Sequence, residues 1–305
     1  MFKVISKQRL YENIVKLDIE APLIAQNAKA GQFVVVRLDE KGERIPLTIA
    51  DHDPDKGRIT LVLQEVGAST RLLGKLESGD TVSDILGPLG HPTEVEKFGT
   101  VVCIGGGVGI AVVHPIVKAM KSKGNNVITI IGSRCEDALI FREDNKAHSD
   151  EFYITTDDGS CGRRGFVSDE LKTLIDKGIK IDRVIAIGPV PMMKAVSKVT
   201  NAHNIKTIVS LNPLMLDATG MCGVCRVTVG GSVKFACVDG PEFDAHQVDF
   251  DELSARLNQY KDKEKLALDK CGKCQTHPPT PSLIKRGGAD YKLSQTHDAK
   301  GQGVS

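Results

Sequence analysis

In "DATGMCGVCRVTVGGSVKFACVDG", residues 217–240, Cys222, Cys225 and Cys237 stand at a spacing that reads as a metal-ligand set with one member missing. Zinc favours two C-x-x-C or C/H pairs, and the other such pair, Cys271 and Cys274, lies beyond a helix in a Pro- and Gly-rich tail. Zinc, iron and plain packing of buried thiols all stay open on these residues alone. Cys103, Cys135 and Cys161 have no partner spacing and read as packing residues or incidental thiols.

A second set of residues could bind phosphate. In "CIGGGVGI", Gly105, Gly107 and Gly109 lie where a strand turns into a helix, a turn that presents backbone N–H groups to a pyrophosphate at the positive helix end. Ile110 stands where the third glycine of the full fingerprint belongs. No acid ends the next strand to take a ribose hydroxyl; "GSRCED" offers Ser133 and Arg134 instead, with Glu136 and Asp137 close behind, and since Arg134 suits a 2′-phosphate, NAD and NADP both remain open. Towards the start of the chain, "ERIPLTIAD" carries Arg44 as a fixed cation for a diphosphate. Pro46 stiffens the turn, and Thr48 shares its strand face. "GAST", with Gly67, Ser69 and Thr70, opens the one expected helix of this half and adds N–H and hydroxyl donors. "GPLG", Gly87–Gly90, precedes the boundary of that half. His52, His91, His114 and His203 are scattered and mark no site.

Three textures and a tail must position these residues. Over residues 1–98, "FKVISKQ", "NIVKLDIE", "QFVVVRL", "PLTIAD" and "RITLVLQEV" follow one another with turn residues between, which predicts a small antiparallel barrel in which only "TRLLGKLE" is helical. Over 99–212, buried apolar strands alternate with amphipathic helices, which predicts a doubly wound parallel sheet. Residues 213–265 hold the cysteines, a hairpin turning at Gly230–Gly231, and a helix through "DFDELSARLNQYKDKEK". Residues 266–305 lack periodicity and read as a disordered tail. Forty basic against thirty-nine acidic residues leave a charge of +1, so no field points to nucleic acid or an anionic membrane. No apolar signal core or run of about 18 apolar residues occurs, which makes cytoplasmic the expected location.

An R-x-P-L-T segment, a G-x-S-T turn and a G-P-L-G loop, followed by "GGGVG", "DDGSCGRRG" and "GPVPMM", resemble the ferredoxin-reductase superfamily. With a cysteine segment after them, they resemble its branch of electron-transfer subunits, which includes those of dihydroorotate dehydrogenase and sulfide dehydrogenase. The nearest likeness is to the small subunits of NADH-dependent reduced ferredoxin:NADP oxidoreductases. The resemblance covers about residues 1–265. It implies FAD on the barrel, its diphosphate held by Arg44, Gly67, Ser69 and Thr70. Leu47 and Thr48 would lie against the isoalloxazine, the Thr48 hydroxyl near the flavin N5 as the catalytic contact. It also implies a nicotinamide nucleotide lined by Gly107, Val108 and Gly109, with Asp157, Asp158, Pro189 and Met192 nearby, and it favours NAD(H) over NADP(H).

The missing ligand now has a template. Plant-type iron–sulfur segments use C-x4-C-x2-C and a distant fourth cysteine; Cys222, Cys225 and Cys237 match the last three, and Asp217 stands where the first belongs. A carboxylate carries the same charge as a thiolate, so a 2Fe–2S cluster held by Asp217 and three cysteines is expected, as the resemblance also implies. The aspartate departs from the all-cysteine pattern of the dihydroorotate dehydrogenase subunit. The chain carries no second ferredoxin-like cysteine set, so electrons must leave to another protein. By resemblance that partner is a large flavoprotein subunit with 4Fe–4S clusters and a bifurcating FAD, which serves NADP and ferredoxin. The alternatives are an electron-transfer subunit for sulfide or dihydroorotate oxidation and, in another class, a non-catalytic binding module with a structural metal. Reaction direction, terminal acceptor, cluster potential and the role of the tail are not legible in residues.

Overall fold

The computed structural model describes residues 1–40 and 42–273, the side chains of 270–273 excepted. The first half is a nearly closed antiparallel barrel. Its strands are β1 (Phe2–Tyr11), β2 (Ile14–Glu20), β3 (Phe33–Arg37), β4 (Arg44–Asp53), β5 (Arg58–Gln64), β6 (Thr81–Val82) and β7 (Asp84–Leu89), in the order β6-β1-β2-β5-β4-β3-β7. Ser83 joins the two outermost strands, so closure falls on a one-residue connection. Inward residues of β2, β3, β4 and β5, such as Leu17, Val34, Ile49 and Leu61, are buried and fill the interior. The five expected strands are β1 to β5. Two things differ from the sequence reading: a helix α1 (Pro22–Asn27) precedes α2 (Ala68–Leu73), and the "GPLG" loop lies largely within β7. Pro22 at the first turn explains α1, because its missing N–H is unpaired there in any helix.

The second half is the expected parallel sheet. Strands β8 (Thr100–Gly106), β9 (Asn126–Ser133), β10 (Glu151–Thr156), β11 (Arg163–Arg164), β12 (Arg183–Ile187) and β13 (Thr207–Ser210) alternate with helices α3 (Gly109–Ser122), α4 (Arg142–Lys146), α5 (Val167–Asp176) and α6 (Val190–Ala202). The chain winds outward from β8 through β9 and β10 to β11, then returns to β12 and β13 on the other side. A ligand crevice belongs at that reversal, outside the carboxyl end of β8.

The cysteine segment is not a separate body. Its hairpin, β14 (Arg226–Val229) and β15 (Ser232–Phe235), pairs Val229 with Ser232 across Gly230 and Gly231. Both glycines have positive φ, 58° and 73°, as a two-residue turn of this hand demands. The strand that follows, β16 (Glu242–Asp244), joins β13 antiparallel and becomes the seventh strand of the parallel sheet. Cys225, Cys237 and Ala218 then share one apolar core with Ile104, Val184 and Val209 of the sheet and with Phe33 and Val35 of the barrel. The single helix expected over 249–265 is two, α7 (Phe250–Asn258) and α8 (Lys261–Lys273). Asp249 caps α7 by accepting from the amides of Asp251 and Glu252. α8 packs against α2 and continues through 266–273, the first part of the expected tail. The rest of that tail, with Cys274, lies outside the described residues.

Candidate functional site

Strand alternation sorts the barrel residues. Ile45 and Leu47 pack against the barrel interior, so Arg44, Pro46 and Thr48 share the opposite face. Their ladder partners there are Arg37, Val35 and Phe33. Phe33 and Val35 belong to the core shared with the sheet and the cysteine segment, so this outer face of β4 looks toward the other half of the molecule. Leu47 therefore turns its side chain away from Thr48. The Thr48 hydroxyl, half-buried, makes no hydrogen bond among the described residues. Two residues further on, Ala50 packs with Ile110 and Ala111 at the start of α3, and Asp51 pairs with Lys118 at 2.8 Å.

At the start of β4, the Ser69 hydroxyl donates to Glu43 at 2.5 Å, which sets the first turn of α2 beside Arg44. Thr70 caps its own helix, its hydroxyl accepting from the Gly67 amide at 2.9 Å. Its proton goes to the Gly67 carbonyl at 3.1 Å, so the Arg44 guanidinium and the first-turn amides of α2 are the donors here that suit a diphosphate, with the Ser69 hydroxyl beside them once it leaves Glu43. Arg44 itself approaches Asp217, at 4.0 Å.

All the nucleotide-binding candidates gather along one edge, because β8, β9, β10 and β12 are parallel. The Gly107 amide donates to the Gly132 carbonyl at 2.9 Å, fixing the glycine turn to the end of β9. The Met192 thioether occupies the space a side chain at Gly106 would fill, with Pro189 beside it. A Cβ at Gly109 would run into the Ile187 carbonyl, so this glycine lets α3 settle on β12. Arg134 and Asp158 are tied through backbone, the Asp158 amide donating to the Arg134 carbonyl at 3.2 Å, and the Asp157 amide donates to Ser133 at 3.1 Å. Hydrogen bonds from Ser160 hold the Asp158 carboxyl below its usual range. A cavity of about 170 Å³ lined by Asp51, Arg58 and His114 lies at the barrel–α3 seam and contains none of the candidate residues.

The cysteine segment brings two of its three thiols together. Cys225 and Cys237, both buried, bring their sulfurs to 3.1 Å. Burial and the neighbouring Cys225 thiol push Cys237 up to about 12. Cys222 is exposed, and the amide of Val224, with those of Asp217 and Leu216, holds its thiol below the ordinary value. Among the described residues no three His, Cys, Asp or Glu side chains converge on one ion. Three thiols and one carboxylate within one segment supply the four anionic donors a binuclear cluster requires, and backbone amides that favour the Cys222 thiolate act as outer-shell groups do around an iron–sulfur site. The donor set fits a 2Fe–2S cluster. Cys103 is a packing residue, its thiol pushed up to about 12 by burial. Cys135 meets the Tyr11 hydroxyl at 3.6 Å across the seam between the two halves.

Sequence reasoning missed Thr219, whose hydroxyl donates to Asp217. The signal was available: a threonine two residues after an aspartate can fold back on its carboxylate.

A flavin-type barrel joined to a doubly wound sheet, with an iron–sulfur segment on the sheet edge, defines a ferredoxin-reductase-like electron-transfer module. The iron–sulfur cluster binding domain of dihydroorotate dehydrogenase B matches residues 212–249, and an oxidoreductase NAD-binding domain matches 103–198. The dihydroorotate dehydrogenase B electron transfer subunit homolog of Thermotoga maritima is 46% identical over 88% of this chain and 94% of its own length. The electron transfer subunit of Geobacillus thermodenitrificans is 33% identical over 80% and 96%. A solved structure of an NADH-dependent reduced ferredoxin-NADP oxidoreductase superposes with a TM-score of 0.84 at 46% identity, covering 88% of this chain and 97% of that one. Phthalate dioxygenase reductase, 15% identical with a TM-score of 0.55, shares the fold. The chain belongs to the family of dihydroorotate dehydrogenase B electron transfer subunits and their homologues. No helix among the described residues is long and apolar enough to cross a membrane.

Proposed function

We propose that this chain is the small subunit of a cytoplasmic heterodimeric oxidoreductase, passing electrons between NAD(H) and a large flavoprotein subunit that carries 4Fe–4S clusters. In this reading the large subunit holds a second, bifurcating FAD and handles NADP and ferredoxin. The observation that carries it is the buried Cys225–Cys237 pair in one segment with Cys222 and with Asp217, whose carboxylate faces Arg44 of the barrel. Residues 1–98 form the FAD barrel, 99–212 the nucleotide domain and 213–265 the cluster segment.

When bound, FAD exchanges a hydride with nicotinamide and the cluster carries electrons singly. The protein's part is placement. Arg44, Ser69 and Thr70 hold the diphosphate, with Gly67 and Pro46 shaping the strand and helix starts. Thr48, its hydroxyl without a hydrogen-bond partner among the described residues, would supply a donor to the flavin. Gly107, Val108, Gly109, Pro189 and Met192 would hold the nicotinamide nucleotide at the carboxyl end of β8, with Arg134, Asp157 and Asp158 on the neighbouring strand ends. Beside exposed Cys222, the apolar side chains of Leu216, Met221 and Val238 are exposed too. Apolar surface next to a redox centre favours a protein partner over water there.

Anaerobic purification with whatever chain accompanies it is the test. FAD, iron and sulfide in the complex, with a 4Fe–4S flavoprotein as partner, are expected. A partner that oxidises dihydroorotate or sulfide would move the chain to the corresponding enzyme, and a colourless protein with stoichiometric zinc would overturn the redox reading.

A further inference from the structure

Each oxygen of the Asp217 carboxylate has a neighbour. Oδ2 accepts from the Thr219 hydroxyl, and Oδ1 faces the Arg44 guanidinium at 4.0 Å. Between Asp217 and Thr219, Ala218 takes φ 62° while only 3% exposed. A non-glycine residue in that region is strained by its Cβ, and here the shared core holds it. The turn at Ala218 is what brings the Thr219 hydroxyl back onto the carboxylate.

We propose that Thr219 and Arg44 are positioning residues for Asp217, Thr219 fixing the carboxylate's orientation toward the cluster and Arg44 carrying a barrel-borne positive charge to it. The inference rests on the ligand set proposed above. A carboxylate that binds metal through one oxygen keeps its geometry only if the other is held, and outer-shell partners of this kind tune the centre as well. Reduction adds one negative charge without breaking a bond, so a neighbouring cation stabilises the reduced state and raises the potential. Arg44 is 53% exposed, so water and salt screen its share. The consequence is a direct electrostatic link from the flavin-binding strand to the cluster.

The experiment uses the full-length protein with both cofactors, as wild type, T219V, T219S, R44Q and R44K. Cluster potential is read by EPR-monitored titration with dithionite as electron donor, alongside iron, sulfide and FAD content; wild type depleted of FAD controls for flavin loss. T219V should lower the potential and change the reduced-cluster EPR spectrum, with T219S restoring both. R44Q should lower the potential beyond the flavin-loss control, more at low salt than at high, with R44K close to wild type. If T219V does not fold, T219A against T219S reads the same hydroxyl. Wild-type potential and spectrum in either the Thr219 hydroxyl-deletion variant or R44Q, at full iron content, overturns the proposal. Failure of the underlying ligand set shows separately, as an unchanged spectrum and iron content in D217A.

Discussion

Cys225 Sγ lies 3.1 Å from Cys237 Sγ, at the end of a hairpin whose far end turns on two glycines. Both residues sit in the core that unites the barrel, the sheet and the cysteine segment. Cys225→Ser should therefore cost both cluster and fold: iron and sulfide lost, and the thermal midpoint lowered. Cys222→Ser, at an exposed position, should lose iron with little change in the melting of the metal-free chain. Equal melting losses in both variants would contradict this division.

Gly109 is where α3 meets β12. A methyl group there meets the Ile187 carbonyl, which is backbone and cannot turn aside. Gly109→Ala should destabilise by about 1–3 kcal/mol, the usual cost of overpacking, and weaken nicotinamide nucleotide binding. Denaturant unfolding at unchanged m-value measures the first, and an unaltered midpoint would refute the close approach.

Glu242 links β16 to the segment between the two halves, its carboxylate accepting from the Thr93 hydroxyl at 2.5 Å. Burial pushes its carboxyl up from 4.5 to about 7, against the Thr93 bond and the Arg183 charge. The folded protein thus holds more protons than the unfolded chain between those values, so this group's contribution falls as pH rises through the window. Glu242→Gln keeps an acceptor for Thr93 and never ionises. It should be more stable than wild type above pH 7 by about 1–3 kcal/mol, with the difference vanishing below pH 4.5. A pH-independent difference would sink the assignment.

Thr48 presents an uncommitted hydroxyl on the face of β4 that looks toward the sheet. Thr48→Val preserves shape and removes the donor. A single hydrogen bond contributes about 0.5–1.5 kcal/mol, so hydride transfer from NADH should slow by up to about tenfold in stopped-flow measurements, with FAD content unchanged. Full-rate flavin reduction would remove Thr48 from the reaction.

Much of this was legible in residues because it depends on near neighbours. Period-two alternation marked β1 to β5, apolar runs between amphipathic stretches marked the parallel sheet, and Gly230–Gly231 marked the hairpin, since each signal spans a few residues whose backbone preferences are local. The spacing of Asp217, Cys222 and Cys225 likewise pointed to a cluster, because these three positions lie within one loop. Tertiary structure alone decided the rest. Nothing local distinguishes β16 from other short strands; it joins β13 because that edge was open. The break between α7 and α8 carries no glycine or proline. Arg44 reaches Asp217, and Met192 backs Gly106, across stretches of chain that no periodicity connects. Such contacts are chosen when whole faces pack, and the choice depends on the shape of both surfaces at once.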